Sequence, residues 1–213
     1  MSIGTAKRRR RAAPAKSVPC IGPDANGIVM TAREFDTADF EEGWCYELIN
    51  GVLIVTPIPL ENEADPNEEL GYWLRNYRDR DPLGSALDAT LSERIVRTGQ
   101  NRRRADRVIW AGLGRLPRRF ETPTIIAEFV SARRRDWIRD YVVKRDEYMA
   151  IRVREYWVFD RFRHTLTVFR LQAGKVRKRV FSKEQTSKTD LLPGFELPLA
   201  RLFALADRWT TED

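Results

Sequence analysis

The sequence is poorest in histidine, with one, His164, in 213 residues. A Ser-His-Asp or Cys-His machine and a His-rich zinc centre each need histidine beside other placed groups. His164 lies in DRFRHTLTVF, which reads as a hairpin, so it is assigned to a turn or the surface. Cysteine is nearly as scarce. Cys20 and Cys45 stand far apart without CxxC spacing, which excludes a disulfide-dense secreted scaffold and a cysteine-based zinc site and makes a reducing cytoplasm the expected location. No apolar run approaches the roughly 18 residues of a transmembrane helix, and mean hydropathy is −0.50, so no membrane span is expected. Phosphate-binding glycine motifs are missing too: Gly112-Leu113-Gly114 is followed by Pro117 where GxGxxG needs its last glycine, and there is no Walker sequence. Any chemistry therefore falls to carboxylates, lysine and a hard metal ion.

Positive charge is in excess, with 38 Lys+Arg against 31 Asp+Glu and a formal net charge of +7. Much of it is concentrated at the start. Residues 1–27 hold Lys7, Arg8, Arg9, Arg10, Arg11 and Lys16 against the single acid Asp24, with three prolines and almost no large apolar residue before Ile21. That composition reads as a disordered basic arm able to bind phosphate without sequence preference. It has the charge of a signal peptide without the apolar stretch that must follow, so secretion is not expected. The remainder, residues 28–213, is expected to form one domain, its core drawn from a chain that is 42% hydrophobic.

Structure signals begin at Met30. Thr31 with Glu34 three residues later is a capping box opening a short helix to about Asp39. CYELINGVLIVT (45–56) places Asn50-Gly51 between two β-rich runs, a hairpin signal because both turn residues tolerate positive φ. After Asp65-Pro66, the residues Leu70, Trp73, Leu74 and Tyr77 repeat at helical spacing and are read as core rather than as a base-stacking platform. Residues 85–96 read as one or two strands, and 104–110 (RADRVIW) and 123–130 (PTIIAEFV) as short buried strands. Residues 136–151 read as a helix, three strands follow from 155 to 181, and a short strand and an amphipathic helix close the domain.

Asp106 and Glu128 are the informative residues, because a carboxylate inside an apolar strand costs several kcal/mol unless it is paired or metal-bound. Lys144, one helix later, could supply the cation of a structural salt bridge. Loss of Asp106 would then cost roughly 3 to 5 kcal/mol. Alternatively, Asp106, Glu128 and a backbone carbonyl hold Mg²⁺, which favours one or two carboxylates plus water and phosphate oxygens. The basic runs Arg102-Arg103-Arg104 and Arg133-Arg134-Arg135 flank both acids and suit a polyanionic substrate, although such runs also occur as solvated loops. Ser131, with no histidine near it, reads as a turn or supporting hydroxyl.

The order YELINGVL, RRRADRVIW, IIAEFVS, then Asp140, Lys144, Tyr148 and Glu155-Tyr156-Trp157, then LLPGFELPL, resembles the Uma-type putative restriction endonuclease family of the PD-(D/E)XK nuclease superfamily, over about residues 30–205. The resemblance implies a restriction endonuclease-like α/β (α+β) fold, with a mixed central β-sheet flanked by helices. It further implies DNA phosphodiester hydrolysis with Mg²⁺ or Mn²⁺, and a homodimer that pairs two sites. By the same match Asp106 and Glu128 are the metal ligands, and Lys144 assists the attacking water from the following helix, because Val130 fills the usual lysine position. Asp140, Lys144 and Tyr148 are one helical turn apart and share a face, and Glu47 of the Tyr-Glu-Leu hairpin is an accessory acid or a solvent-facing strand residue. Ala105 stands where the motif has proline. The competing expectation is a catalytically inactive nuclease-fold protein that binds nucleic acid through its basic arm or serves as an assembly partner.

Overall fold

The computed structural model describes residues 20–131 and 138–209. The basic residues at positions 7–16 and the Arg133–Arg135 run lie outside the described residues. The helix α1 (Ala32–Thr37) is closed by the expected box: the Thr31 hydroxyl accepts from the Glu34 amide at 3.2 Å and the Glu34 carboxylate accepts from the Thr31 amide at 2.6 Å. Strands β1 (Trp44–Ile49) and β2 (Val52–Pro57) form the expected hairpin, with Asn50 at φ 51° and Gly51 at φ 77°, as a two-residue primed turn demands.

Two boundaries differ from expectation. Residues placed in the arm are tied to the body, since the Ile21 amide bonds the Asp39 carbonyl at 2.8 Å and the Gly27 amide bonds the Leu53 carbonyl at 2.8 Å. Structured chain thus begins before residue 28. The helix α2 (Glu61–Arg80) also starts earlier and carries Pro66 within it rather than before it. Proline in this second turn removes the bond its own N–H would have made to the Asn62 carbonyl, and its ring is buried.

The strands β3 (Leu87–Thr98), β4 (Asn101–Ala111), β5 (Ile125–Phe129), β6 (Glu155–Asp160), β7 (Thr165–Gln172) and β8 (Lys175–Ser182) join β1 and β2 in one mixed sheet of order β2-β1-β4-β5-β6-β7-β8, with β3 also paired to β4. Only β5 and β6 run parallel among the pairings; the rest are antiparallel. A π-helical segment, Arg139–Lys144, runs into α3 (Arg145–Ala150) and forms part of the crossover between the parallel strands. Two short strands, β9 (Thr186–Lys188) and β10 (Glu196–Pro198), precede α4 (Leu199–Arg208). Among the described residues no helix is long and apolar enough to cross a membrane.

Alternation along the strands sorts the core into two layers. Trp157 and Phe159 of β6 pack with Leu70, Leu74 and Tyr77 of α2 and Leu202 and Phe203 of α4. Tyr156 and Val158 pack on the other face with Tyr141, Tyr148 and Met149 of the crossover helix. The α2 stripe is core, as read from its spacing. Gly71 lets this layer close, because a Cβ there would lie 2.7 Å from the guanidinium of Arg107, a fully buried group held by Asn67 at 2.7 Å. Gly71→Ala is expected to destabilise the fold by about 1 to 3 kcal/mol in urea melts, despite the helix-propensity gain of about 1 kcal/mol.

Candidate active site

Period-2 alternation puts Asp106 on the same face of β4 as Val108 and Trp110, which pack in the layer beneath α3. Likewise, Glu128 shares the face of β5 with Ile126. The β4–β5 ladder pairs Arg107 with Ala127 and Val108 with Ile126, and one further step of that register sets Asp106 opposite Glu128. Both acids therefore face the crossover helix. The Asp106 carboxylate accepts the Phe129 amide at 2.6 Å and remains partly exposed, whereas Glu128 is 2% exposed.

From above, Lys144 Nζ donates to Glu128 Oε2 at 2.7 Å and to the Arg104 carbonyl at 3.3 Å, and the Tyr148 hydroxyl donates to Glu128 Oε1 at 2.9 Å. Asp140 Oδ1 is 3.8 Å from Lys144 Nζ. The expected shared face exists: Asp140, Lys144 and Tyr148 are all buried against the sheet. The π segment that carries the first two is of a kind often found where function requires local rewinding.

Burial, with the Glu128 charge beside it, pushes the Asp106 carboxyl well above the usual range. Glu128 is also raised, by burial acting against the pull of Lys144. Burial alone would lower the Lys144 ammonium, but Glu128, Glu47 and Asp140 outweigh it and hold the group above its ordinary value. Lys144 is thus a persistent cation. The lysine pairs with Glu128, and among the described residues Asp106 forms no salt bridge.

Asp106, Glu128 and Lys144 line an open cleft of about 460 Å³ with Cys45, Glu47, Glu93, Arg104, Ser131 and Arg161, while Asp140 and Tyr148 are buried behind it. Among the described residues no three His, Cys, Asp or Glu side chains are gathered as a metal cage. The donor set that is present, two hard carboxylates in an open cleft, fits a cation that keeps most of its water rather than a borderline-soft one such as Zn²⁺. Each Glu128 oxygen accepts one hydrogen bond and retains a second lone pair.

A model of the Uma2 family, described as putative restriction endonucleases, matches residues 32–200. The chain belongs to this family. A crystal structure of a putative nuclease of the DUF820 group from Anabaena variabilis ATCC 29413 superposes with a TM-score of 0.63 at 15% identity, over 83% of this chain and 99% of that one. The shared architecture is the restriction endonuclease-like fold, a mixed sheet flanked by helices. None of the curated proteins compared matches this chain.

Within this Uma2 domain the Arg102–Arg104 run does not present the basic surface expected of it. Arg102 is buried against Asp36 at 2.7 Å, and Arg103 is buried in a two-pronged pair with Glu147 at 2.6 and 2.8 Å. Arg104 reaches the cleft but is paired to Glu93 at 2.6 Å. The partners lie 66, 44 and 11 residues away, beyond what a local charge pattern can show. Glu47 lines the cleft and accepts the Arg104 amide at 2.9 Å, tying β1 to β4. His164 sits in the β6–β7 turn at φ 48° and faces Asp207 at 3.0 Å, outside the cleft lining. Glu93 and Arg161 were missed as lining residues. Glu93 carries a signal visible only in three dimensions, a φ of 51° in the interior of β3.

Proposed function

We propose that this protein is a metal-dependent DNA endonuclease that hydrolyses phosphodiester bonds in the Asp106–Glu128–Lys144 cleft. The observation that carries the reading is the convergence of two carboxylates from adjacent strands with the Lys144 ammonium, 2.7 Å from one of them, in an open cleft. Asp106 and Glu128 would hold Mg²⁺ or Mn²⁺. A cation bound there supplies Lewis-acid polarisation of the phosphodiester and neutralises charge on its attacking and leaving oxygens.

The chain's own groups do the rest. Tyr148 and Lys144 hold the two oxygens of Glu128 in a fixed plane, so the carboxylate needs no reorganisation when substrate arrives. Lys144 is a charged donor in a mostly buried setting. Its role is therefore to orient water and stabilise negative charge growing on the phosphoryl oxygens, rather than to take a proton from the nucleophile.

The primary test is nicking of supercoiled DNA and cutting of single-stranded DNA with Mg²⁺ or Mn²⁺, comparing wild type with Glu128→Gln. Lys144→Met is expected to lower the cleavage rate at saturating Mg²⁺ by about 10²-fold or more. Equal rates in wild type and Lys144→Met would refute that role. Intact DNA with undiminished binding in every protein would favour the inactive nucleic-acid-binding reading.

A further inference from the structure

With Arg102–Arg104 neutralised internally, the unneutralised charge of the domain lies elsewhere. A groove of about 200 Å³ beside the cleft is floored by Val108 and Trp110 and walled by Arg94, Arg97, Arg118 and Arg119. The acid in its lining, Glu121, is held by Arg115 at 2.7 Å and attracts Arg118, while Asp36, outside the lining, is shared by Arg97 and Arg102 and attracts Arg119. Among the described residues no carboxylate forms a salt bridge with Arg94, Arg118 or Arg119, all three of which are exposed. Phe120 draws like charges together, with the Arg97 guanidinium 3.6 Å and that of Arg119 4.8 Å from its ring centroid. It does so from the left-handed region, at φ 62°, which costs an aromatic residue of order 1–3 kcal/mol. Positive charge gathered in excess of the nearby acids, around a strained aromatic residue, is what an anion site requires.

We infer that this groove binds the phosphodiester backbone of the DNA strand that enters the cleft. The inference deepens the nuclease reading and rests on it for the identity of the anion. Position supports it. Arg94 in the groove follows Glu93 in the cleft, and Val108 and Trp110 lie on the same face of β4 as Asp106, two and four residues farther along. At about 3.4 Å per strand residue that is roughly 7 to 14 Å, or about two to four nucleotides of rise from the scissile phosphate. The arginines therefore fix strand register and supply no base specificity.

The test uses the full chain carrying Arg94→Gln, Arg118→Gln and Arg119→Gln together, with fluorescence anisotropy on a duplex DNA oligonucleotide in EDTA across a salt series. A control carries Lys175→Gln, Arg177→Gln and Lys178→Gln, which removes equal charge from the exposed strand β8. The groove variant is expected to flatten the slope of log affinity against log salt by about 2 to 3, while the control keeps the wild-type slope. In the nicking assay the groove variant should raise KM and preserve kcat. An unchanged slope, an equal flattening in the control, or a preference for RNA over DNA of the same length would overturn the inference. Failure of the nuclease reading looks different: wild type leaves DNA intact with Mg²⁺, while the groove variant still loses affinity.

Discussion

Asp106→Asn is expected to reduce Mg²⁺-dependent nicking by about 10³-fold or more, the equivalent of about 4 kcal/mol of lost charge stabilisation, and to leave the fold intact. The asparagine oxygen can still accept the Phe129 amide, so the strand contact survives. What disappears is a negative charge facing Glu128 and the ligand it provides. A structural Asp106–Lys144 bridge would instead make this variant lose roughly 3 to 5 kcal/mol. The ammonium is paired with Glu128 at 2.7 Å, so that penalty belongs to changes at Glu128 or Lys144. Stability against pH gives a second readout without metal. The Asp106 carboxyl is raised in the folded state, so folding favours its protonated form. Its contribution is most favourable below the unfolded value of about 3.9 and is lost as pH rises toward the folded one. Urea midpoints of Asp106→Asn should therefore fall less than those of wild type between pH 4 and pH 8.

A large loss of stability is expected from Glu147→Ala. Arg103 is 1% exposed, and its guanidinium is held by both oxygens of Glu147, which also accepts from Thr98 at 2.8 Å and Asn101 at 3.1 Å. Removing the carboxylate strands a buried guanidinium, at a cost of about 3 to 5 kcal/mol, whereas Glu147→Gln keeps an acceptor and should cost less. Burial pushes Glu147 up, but Arg103, Thr98 and Asn101 outweigh it and hold the carboxyl below its usual value. The stabilisation is thus present above the unfolded value of about 4.3 and fades as pH falls through the folded one. A urea denaturation series from pH 7 to pH 3 should show the difference between wild type and Glu147→Ala shrinking at the acid end.

Local rules made part of this legible. The Thr31–Glu34 box and the Asn50-Gly51 turn are short-range chemistry, and both formed as read. Asp106 and Glu128 stood out as acids in apolar strands, with Lys144 the cation one helix later, and the structure brings the three into one cleft. Failures came where the deciding partner is distant in sequence. Arg102 and Arg103 look like a solvent-facing basic run until Asp36 and Glu147 arrive from other elements. Glu93 was invisible because an acid in an exposed-looking strand carries no signal until its backbone conformation and its neighbour Arg104 are seen. Pro66 misled for the opposite reason, since a rule about helix starts was applied to a proline that the second turn tolerates.

The winding of Arg139–Lys144 has one more consequence. An i→i+5 pattern takes up one residue more per ring than i→i+4, so this segment holds slack in chain length. Loss of one residue at Val142 or Val143, both substantially exposed, would let it relax to ordinary α-helix. Lys144 and Tyr148 follow that point and would keep their seats over Glu128, while Arg139 and Asp140 precede it and would swing by about 100° around the axis. A deletion here thus re-aims Arg139, which lines the cleft, together with the buried Asp140, and spares the Lys144–Glu128 ion pair.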